Sequence, residues 1–257
     1  MFPFLRLGPF LLQLPGLALL AGVWVGSSLA DKEATRLKLK PGAISNLIFY
    51  ALVAGIVGAR LGYAARYLST YLANPLALLA LTPATLFPLA GMVTGVAVAV
   101  LFGRRKRLPL RPTLDALAPA LAAFLVGSGM ANILSGDAFG SPTNVPWAIY
   151  LWDENRHPSQ IYETFAALMV FAVEWKQPLG RPGAGVNFLL VVALSAAARV
   201  SLEAFRGDSL IWPGGFRAAQ VVGLVVMAAS WRLMQSWNQP GLPRPRLGLP
   251  RQEAEAP

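Results

Sequence analysis

"GAGVNFLLVVALSAAARVSLEAF", residues 183–205, is the stretch that decides the fold. Its 23 residues include only two charged side chains, Arg199 and Glu203, and most of the others are apolar. A helix of this length rises about 35 Å, which is enough to cross a hydrocarbon core of about 30 Å. The stretch therefore predicts a transmembrane helix that carries an arginine and a glutamate near one end.

Six further apolar stretches accompany this one. The chain has 257 residues, of which 55% are hydrophobic and 13% charged, whereas soluble domains carry about 25% charged residues. Because lipid admits only helices or closed barrels, and no stretch alternates cleanly, we expect an all-α, polytopic membrane protein with seven transmembrane helices. The predicted spans lie near residues 8–30, 43–68, 76–102, 114–135, 160–175, 183–205 and 217–237, and the fifth is marginal in length.

Basic residues set the predicted orientation. Because the four basic clusters follow alternate spans, the positive-inside rule places the N-terminus outside and the C-terminus in the cytoplasm. Residues 1–238 form one predicted transmembrane bundle, and residues 239–257 a disordered Pro/Arg-rich cytoplasmic tail. A cleaved signal peptide is an alternative interpretation of the first span. The clusters are Lys32, Arg36, Lys38 and Lys40; Arg104, Arg105, Lys106, Arg107 and Arg111; Lys176 and Arg181; and Arg232, Arg244, Arg246 and Arg251.

Composition also excludes some classes of function. The chain has no cysteine, so it has no disulfide framework, no thiolate metal site and no cysteine nucleophile of its own. No metal or other cofactor is expected. The net charge of +10 suits contact with anionic membrane lipids. Nucleic acid is not an expected partner, because the basic residues flank apolar spans and are not interleaved with aromatic residues.

Polar side chains are predicted to meet at one level of the membrane. Spans two, four and six end outside and span five begins there, so the polar groups near those ends share the outer headgroup region. Ionisable groups at membrane depth point to function, and guanidinium groups bind phosphate through a bidentate fork. Two alternatives stay open: Arg199 and Glu203 form a self-neutralised pair, and the small residues of 127–143 serve helix packing. The converging residues are Arg60, Asn132, Asp137, His157, Gln160, Glu163, Arg199 and Glu203.

Six stretches form a set. They are RHPSQIYE at 156–163, GARLGYAARY at 58–67 and ARVSLEAFR at 198–206, with looser matches in LGPFLLQLPG at 7–16, GMVTG at 91–95 and FRAAQVVG at 216–223. Together they resemble the bacterial prolipoprotein diacylglyceryl transferases. The resemblance implies a multi-pass enzyme of the bacterial inner membrane. Such enzymes move the diacylglyceryl group of phosphatidylglycerol to the lipobox cysteine of a lipoprotein precursor and release glycerol phosphate.

The resemblance also implies the site. Its expected partners are phosphatidylglycerol, the precursor and membrane lipids. The implied catalytic residues are Arg199, Glu203, Asn132 and His157, although His157 has an alternative role in organising the loop before span five. The implied lipid-headgroup residues are Arg60, Gly62, Tyr63, Asp137, Gly140, Gln160, Glu163 and Arg206.

Three positions depart from the family pattern. Gly129 stands where the family has an arginine, Gly95 where it has a histidine, and Pro15 where it has a tyrosine. A second hypothesis is therefore a catalytically impaired relative that binds phospholipid or a lipoprotein precursor. A transporter built on the same polar interior is a third hypothesis, weakly supported because the chain shows no ring of like charges and no repeated broken helices.

Overall fold

The computed structural model describes residues 4–7, 10–79, 85–176 and 183–238, and most of these residues are helical. The predicted tail, residues 239–257, lies outside the described residues. Two antiparallel hairpins pair β1 (Phe4–Leu7) with β2 (Phe10–Gln13) and β3 (Ile149–Leu151) with β4 (Glu154–Arg156). The helices are α1 (Leu14–Arg36), α2 (Ala43–Arg66), α3 (Leu68–Ala73), α4 (Pro88–Arg105), α5 (Leu110–Ser135), α6 (Ser159–Lys176), α7 (Val186–Leu202) and α8 (Ala218–Trp237), with 3-10 helices at Pro75–Leu79 and Glu203–Phe205.

Six helices of the described part are long and apolar enough to cross a membrane. They are α1, α2, α4, α5, α8 and the helical segment Val186–Phe205 that contains α7. The prediction of a mostly helical, polytopic fold is thereby confirmed. The remaining long helix, α6, occupies the marginal fifth span with 18 residues. The count of seven spans and the orientation of the termini stay predictions.

Two predicted spans begin later than the sequence indicated. The first was predicted from residue 8, but a hairpin precedes α1, which begins at Leu14 with Pro15 in its first turn. The third was predicted from residue 76, but a 3-10 helix covers Pro75–Leu79 and α4 begins only at Pro88. Proline lacks an N–H and fits the first turn of a helix, so these prolines mark starts inside the apolar runs.

Helix α5 is the centre of the bundle. It packs against α1, α6 and α7, while α2 pairs with α4 and α7 with α8. Helices α1 and α5 approach closely through small residues: a Cβ atom on Gly26 would lie 2.9 Å from the carbonyl oxygen of Ala120. A larger residue at Gly26 would push the two helices apart.

The outward faces of the helices are apolar. Trp24 on α1, Phe165 on α6 and Val225 on α8 are 74%, 63% and 63% exposed. Contiguous exposed apolar surface marks a partner or a membrane. The outer surface therefore suits lipid, in agreement with the hydropathy of the helices.

Asp115 joins two neighbouring helices of the bundle. Its carboxylate lies on α5, is 1% exposed and accepts hydrogen bonds from the backbone N–H groups of Gly185, Asn187 and Phe188 at 2.8, 3.1 and 3.4 Å. A helix start leaves unpaired N–H groups and a partial positive charge. Asp115 therefore caps the start of α7 from a different helix and fixes the depth of α7 beside α5.

Candidate functional site

A cavity of about 420 Å³ opens where the end of α5, the start of α6 and the end of α7 meet. Apolar residues of the three helices form one part of its wall, and polar residues form the other. A mixed wall of this kind suits a ligand with an apolar body and a charged head. The polar lining residues are Ser128, Asn132, Asp137, Glu163, Ser195, Arg199, Arg206 and Asp208.

Glu163 holds two arginines together in this cavity. Its Oε1 atom accepts hydrogen bonds from Nη1 of Arg199 at 2.9 Å and from Nη1 of Arg206 at 2.7 Å. Charge-assisted bonds of this length are the strong class of hydrogen bond. Glu163, in the first turns of α6, therefore fixes two cations that come from α7 and the segment after it.

Arg206 is fully engaged by its neighbours. Besides Glu163, it binds Asp208 with two parallel bonds, Nε to Oδ1 at 2.8 Å and Nη2 to Oδ2 at 2.6 Å. Burial opposes its charge, but the hydrogen bonds to Asp208 and Glu163 outweigh burial and raise the pKa of the guanidinium above its usual value. Arg206 stays charged, and its role in this arrangement is to hold Glu163 in place.

Of the two arginines among the described residues that line the cavity, Arg199 is the more accessible. Its side chain is 37% exposed, whereas that of Arg206 is 10% exposed. Its second nitrogen, Nη2, lies 3.0 Å from Oε2 of Glu203, one helical turn further on. Two carboxylates thus orient the guanidinium, and its remaining donors and flat face can receive an anion.

Glu203 lies behind the cavity wall, where it contacts Arg199. Its side chain is 1% exposed and does not line the cavity. Arg217, at the start of α8, donates from Nη1 to the carbonyl oxygens of Glu203 and Arg206 and to Oγ of Ser209. These bonds fix the segment that carries Arg206 and Asp208.

The sequence did not single out Arg217 or Asp208 as site residues. Arg217 lies inside FRAAQVVG, and a basic residue at the start of span seven is unusual on the side predicted to carry few cations. Asp208 lies only two residues from Arg206. Neither the position of Arg217 nor that of Asp208 is specific enough to predict a site residue, because charged residues are common in loops between spans.

The structure brings together part of the predicted set. Asn132, Asp137, Glu163, Arg199 and Arg206 all line the cavity. These residues lie at or just after the ends of α5 and α7 and near the start of α6. This placement agrees with the expectation that polar residues of spans four, five and six share one level.

His157, Gln160 and Gly140 lie outside the lining of the cavity. The His157 ring packs against Phe205 with 5.2 Å between ring centres, and its buried Nδ1 has no hydrogen-bond partner among the described residues. Gln160 is 1% exposed, and its amide group likewise lacks a partner in the described part of the chain. A Cβ atom on Gly140 would overlap the carbonyl oxygen of His157. These residues shape the loop between α5 and α6.

Arg60, Gly62 and Tyr63 belong to a different part of the bundle. Arg60 is 6% exposed and donates to the carbonyl oxygens of Ala77, Leu78 and Thr85, the last two at 3.1 Å. A Cβ atom on Gly62 would overlap the side chain of Ala90, and the Tyr63 ring packs on Tyr67 with 4.7 Å between centres. Arg60 therefore anchors the segment between α3 and α4, away from the cavity lining.

The three departures from the family pattern lie at sites of different character. Gly129 lines the cavity, and a Cβ atom there would overlap the side chain of Thr164 and lie 2.9 Å from its Cα atom. Gly95 faces α2, where a Cβ atom would lie 3.0 Å from the carbonyl oxygen of Ala51. Pro15 begins α1. A side chain at Gly129 would need space that the side chain and backbone of Thr164 occupy, and one at Gly95 would need space that the backbone of α2 occupies.

The described residues contain no group of three or more His, Cys, Asp or Glu side chains that could hold a metal ion. A phosphate ligand in the cavity would meet arginine and amide groups. Arginine binds phosphate directly through two parallel N–H···O bonds.

These features define a polytopic helical membrane protein with an arginine-bearing cavity at one end of its bundle. The model of the family described as prolipoprotein diacylglyceryl transferase matches residues 3–235. The chain belongs to that family.

Individual relatives carry the same description. A phosphatidylglycerol–prolipoprotein diacylglyceryl transferase of Nostoc sp. (strain PCC 7120) is 30% identical over 239 residues, which cover 87% of this chain and 84% of the relative. One from Synechococcus sp. (strain CC9902) is 29% identical and covers 88% and 89%. One from Bordetella parapertussis is 32% identical over 180 residues and covers 66% and 69%.

Proposed function

We propose that this chain transfers a diacylglyceryl group from phosphatidylglycerol to the lipobox cysteine of a lipoprotein precursor. The observation that carries the proposal is the accessible Arg199 guanidinium, which two carboxylates orient inside a cavity walled partly by apolar residues. That combination fits a phosphate joined to an acyl-bearing glycerol. Family membership and the names of the relatives support the same substrates.

The reaction is a substitution at carbon. The cysteine thiol of the precursor loses its proton, and its sulfur forms a bond to the glyceryl carbon that carries the phosphate. The bond between that carbon and the phosphate oxygen breaks, and glycerol phosphate leaves with the bonding electron pair. A free thiol with a pKa of about 8.5 is mostly protonated at neutral pH, so the site must accept a proton and stabilise a departing phosphate.

Arg199 is proposed to bind the phosphate and to stabilise the charge that grows on the leaving oxygen. A donor aimed at developing charge is worth about 10²–10³ in rate. Glu163, held by Arg206, keeps Arg199 in this orientation. Asn132 supplies amide hydrogen bonds to the headgroup from the last turn of α5.

Asp137 is proposed to accept the thiol proton. It lines the cavity, it is exposed, and its carboxylate has no hydrogen-bond partner among the described residues. An unpaired, water-accessible carboxylate can pass the proton to solvent. Glu163 is less suited to this step, because its Oε1 atom already accepts hydrogen bonds from two arginines.

The cavity is proposed to face the outer leaflet of the inner membrane. Seven spans, with α6 as the fifth, would place the basic ends of α1 and α4 in the cytoplasm and the ends of α5 and α7 outside. Residues 239–257 would then form the cytoplasmic tail. The outer leaflet is where an exported lipoprotein precursor would present its cysteine.

The test is an assay of the purified full chain with phosphatidylglycerol and a lipobox peptide. We expect a peptide whose mass rises by one diacylglyceryl group on the thiol, together with one glycerol phosphate for each product molecule. A peptide with serine in place of cysteine is the matched control and should stay unmodified. Phosphatidylglycerol binding without any product, at high protein concentration, would instead identify a binding protein without transferase activity.

Asp137→Asn separates binding from chemistry in the same assay. Loss of a general base lowers rates by about 10²–10⁴, so we expect at least a hundredfold lower turnover with phosphatidylglycerol binding changed less than threefold. Equal turnover of Asp137→Asn and the wild-type chain would exclude Asp137 as the proton acceptor.

A further inference from the structure

A second polar cavity lies toward the opposite end of the bundle. Its volume is about 300 Å³, and its walls come from the end of α1, the first half of α5 and the end of α6. The two cavities share no lining residue. Their nearest lining residues on α6, Val170 and Glu174, are four residues apart, which is about 6 Å along a helix, so the cavities are distinct but lie one helical turn apart on α6. The second is lined by Leu29, Lys32, Glu33, Arg36, Pro119, Glu174 and Trp175.

Two of the four charged lining residues neutralise one another. Arg36 binds Glu33 with two parallel bonds, Nε to Oε2 at 2.7 Å and Nη2 to Oε1 at 2.6 Å. Both residues lie in the last turn of α1. The pair leaves little charge for a ligand.

Lys32 and Glu174 are the charges left over. Within the described part of the chain, neither has a hydrogen-bond or ion-pair partner, although both line the same cavity. Lys32 is exposed and Glu174 half-buried. The cavity therefore offers one cation and one carboxylate, carried by two helices that each pack on α5.

The apolar remainder of the lining suits a lipid. Leu29 and Pro119 supply apolar wall, and Trp175 stacks on Phe171 with 6.0 Å between ring centres while staying 62% exposed. Tryptophan is enriched where a bundle passes through the membrane–water interface. Pockets with basic residues between transmembrane helices bind lipid headgroups.

We propose that this cavity binds the headgroup of a zwitterionic phospholipid that carries a primary ammonium group. Lys32 binds the phosphate, and Glu174 accepts hydrogen bonds from the ammonium group. The headgroup thereby satisfies both unpaired charges at once, while the acyl chains lie against the apolar wall that includes Leu29, Pro119 and Trp175. A lipid with a single negative charge would satisfy Lys32 and leave Glu174 opposed by like charge.

Lipid binding to the purified full chain tests the proposal. Native mass spectrometry of the delipidated protein would measure binding of phosphatidylethanolamine, phosphatidylcholine and phosphatidylglycerol. Phosphatidylcholine carries the same phosphate but no ammonium hydrogen. A hydrogen bond to a charged group is worth about a factor of ten or more, so we expect phosphatidylethanolamine to bind about tenfold more tightly than phosphatidylcholine at this cavity. Equal binding of these two lipids by the wild-type chain would overturn the proposal without any variant.

Two variants assign the contacts. Glu174→Gln should weaken phosphatidylethanolamine binding about tenfold and leave phosphatidylcholine binding unchanged. Lys32→Gln should weaken both lipids. Arg104→Gln, an exposed basic residue at the end of α4 outside this cavity, is the matched control and should change neither. If Glu174→Gln instead strengthens phosphatidylglycerol binding and leaves phosphatidylethanolamine binding intact, the cavity is an anionic-lipid site and the proposal fails.

Transferase turnover gives an independent readout. Neither Lys32 nor Glu174 belongs to the proposed catalytic cavity, so both variants should transfer diacylglyceryl at the wild-type rate in detergent. A chain that binds phosphatidylethanolamine as expected but shows no transfer would overturn the proposed function alone. A chain that shows transfer without selectivity among these lipids would overturn the proposal made for this cavity alone.

Discussion

Arg60 and Arg199 are two arginines that the sequence placed at membrane depth, and their surroundings differ. Arg60 is 6% exposed and bonds to carbonyl oxygens of the chain, with the Tyr71 ring 5.4 Å from its guanidinium carbon. Arg199 is 37% exposed and lies between two carboxylates in a cavity. All three guanidinium nitrogens of Arg60 are bonded to the chain, to three carbonyl oxygens and the Thr85 hydroxyl, whereas Arg199 keeps an open face. The comparison separates an arginine that builds the fold from one that can bind a ligand.

Replacing Arg199 should have the largest effect on activity. Arg199→Lys keeps the charge that Glu203 needs but loses the planar fork. We expect turnover to fall by about 10²–10³, with a melting temperature within a few degrees of wild type. Diacylglyceryl transfer and thermal unfolding in detergent measure the two quantities. Arg104→Lys on α4 is the control and should keep wild-type turnover. If Arg199→Lys kept a third of the wild-type turnover, Arg199 would not be the phosphate-binding arginine.

Replacing Arg60 should act on stability. Arg60→Met removes the donor that binds the carbonyl oxygens of Ala77 and Leu78, and each such group left unsatisfied costs about 1–3 kcal/mol. We expect the free energy of unfolding to fall by about 3 kcal/mol, while turnover per folded molecule changes less than threefold. Arg66→Met, an exposed arginine on the same helix, should be neutral. If the Arg60→Met variant were as stable as wild type but inactive, Arg60 would have a role in catalysis and not in stability.

Asp115 extends the comparison to carboxylates, because it is buried and its partners among the described residues are backbone N–H groups. Asp115→Asn removes the charge and one acceptor from the start of α7, and we expect the free energy of unfolding to fall by about 2 kcal/mol. The folded fraction should keep its turnover. Chemical denaturation in detergent measures the loss. Asn74→Asp, an exposed residue after α3, is the control and should change stability little; an equal loss in both variants would remove the special role of Asp115.

Gly129 should give the smallest effect. Gly129→Ala places a methyl group against Thr164. Overpacking costs about 1–3 kcal/mol, and for a single methyl group we expect the lower end, about 1 kcal/mol. Thr164→Ala in the same chain should recover part of the loss. Gly103→Ala on α4 is the control, since nothing lies within 4 Å of a Cβ atom there. Denaturation in detergent compares the variants, and equal stability of the Gly129 and Gly103 variants would show that α5 and α6 move apart freely.

Most of the fold could be predicted from hydropathy alone. Long apolar runs identify helices such as α5 and α7, because few other structures satisfy the backbone in lipid. Hydropathy alone misses the hairpin before α1 and the late start of α4, since single prolines inside an apolar run change its average hydropathy little. Helix α6 has 18 residues, the same length as α4, so its length does not distinguish it from the other spans. It differs in carrying three charged residues, Glu163, Glu174 and Lys176.

The candidate site was predicted in part. Spacing along α7 places Arg199 and Glu203 on one face, and they do pair. Position along the spans cannot say which helices touch, so the sequence predicts Arg60 beside residues of α5, α6 and α7, whereas the structure places it beside the segment between α3 and α4. The direction of a side chain at a helix end depends on its neighbours, which is why His157 and Gln160 lie outside the cavity while Asp208 lines it.

The cap on α7 has a consequence for the order in which the bundle is assembled. Asp115 precedes its nearest partner, Gly185, by 70 residues, so a growing chain inserts α5 well before the start of α7 exists. Until then the carboxylate lacks the N–H groups that it binds in the finished protein. Insertion of α7 therefore supplies the partners of Asp115, and α5 and α7 become joined at this end of the bundle only late in synthesis.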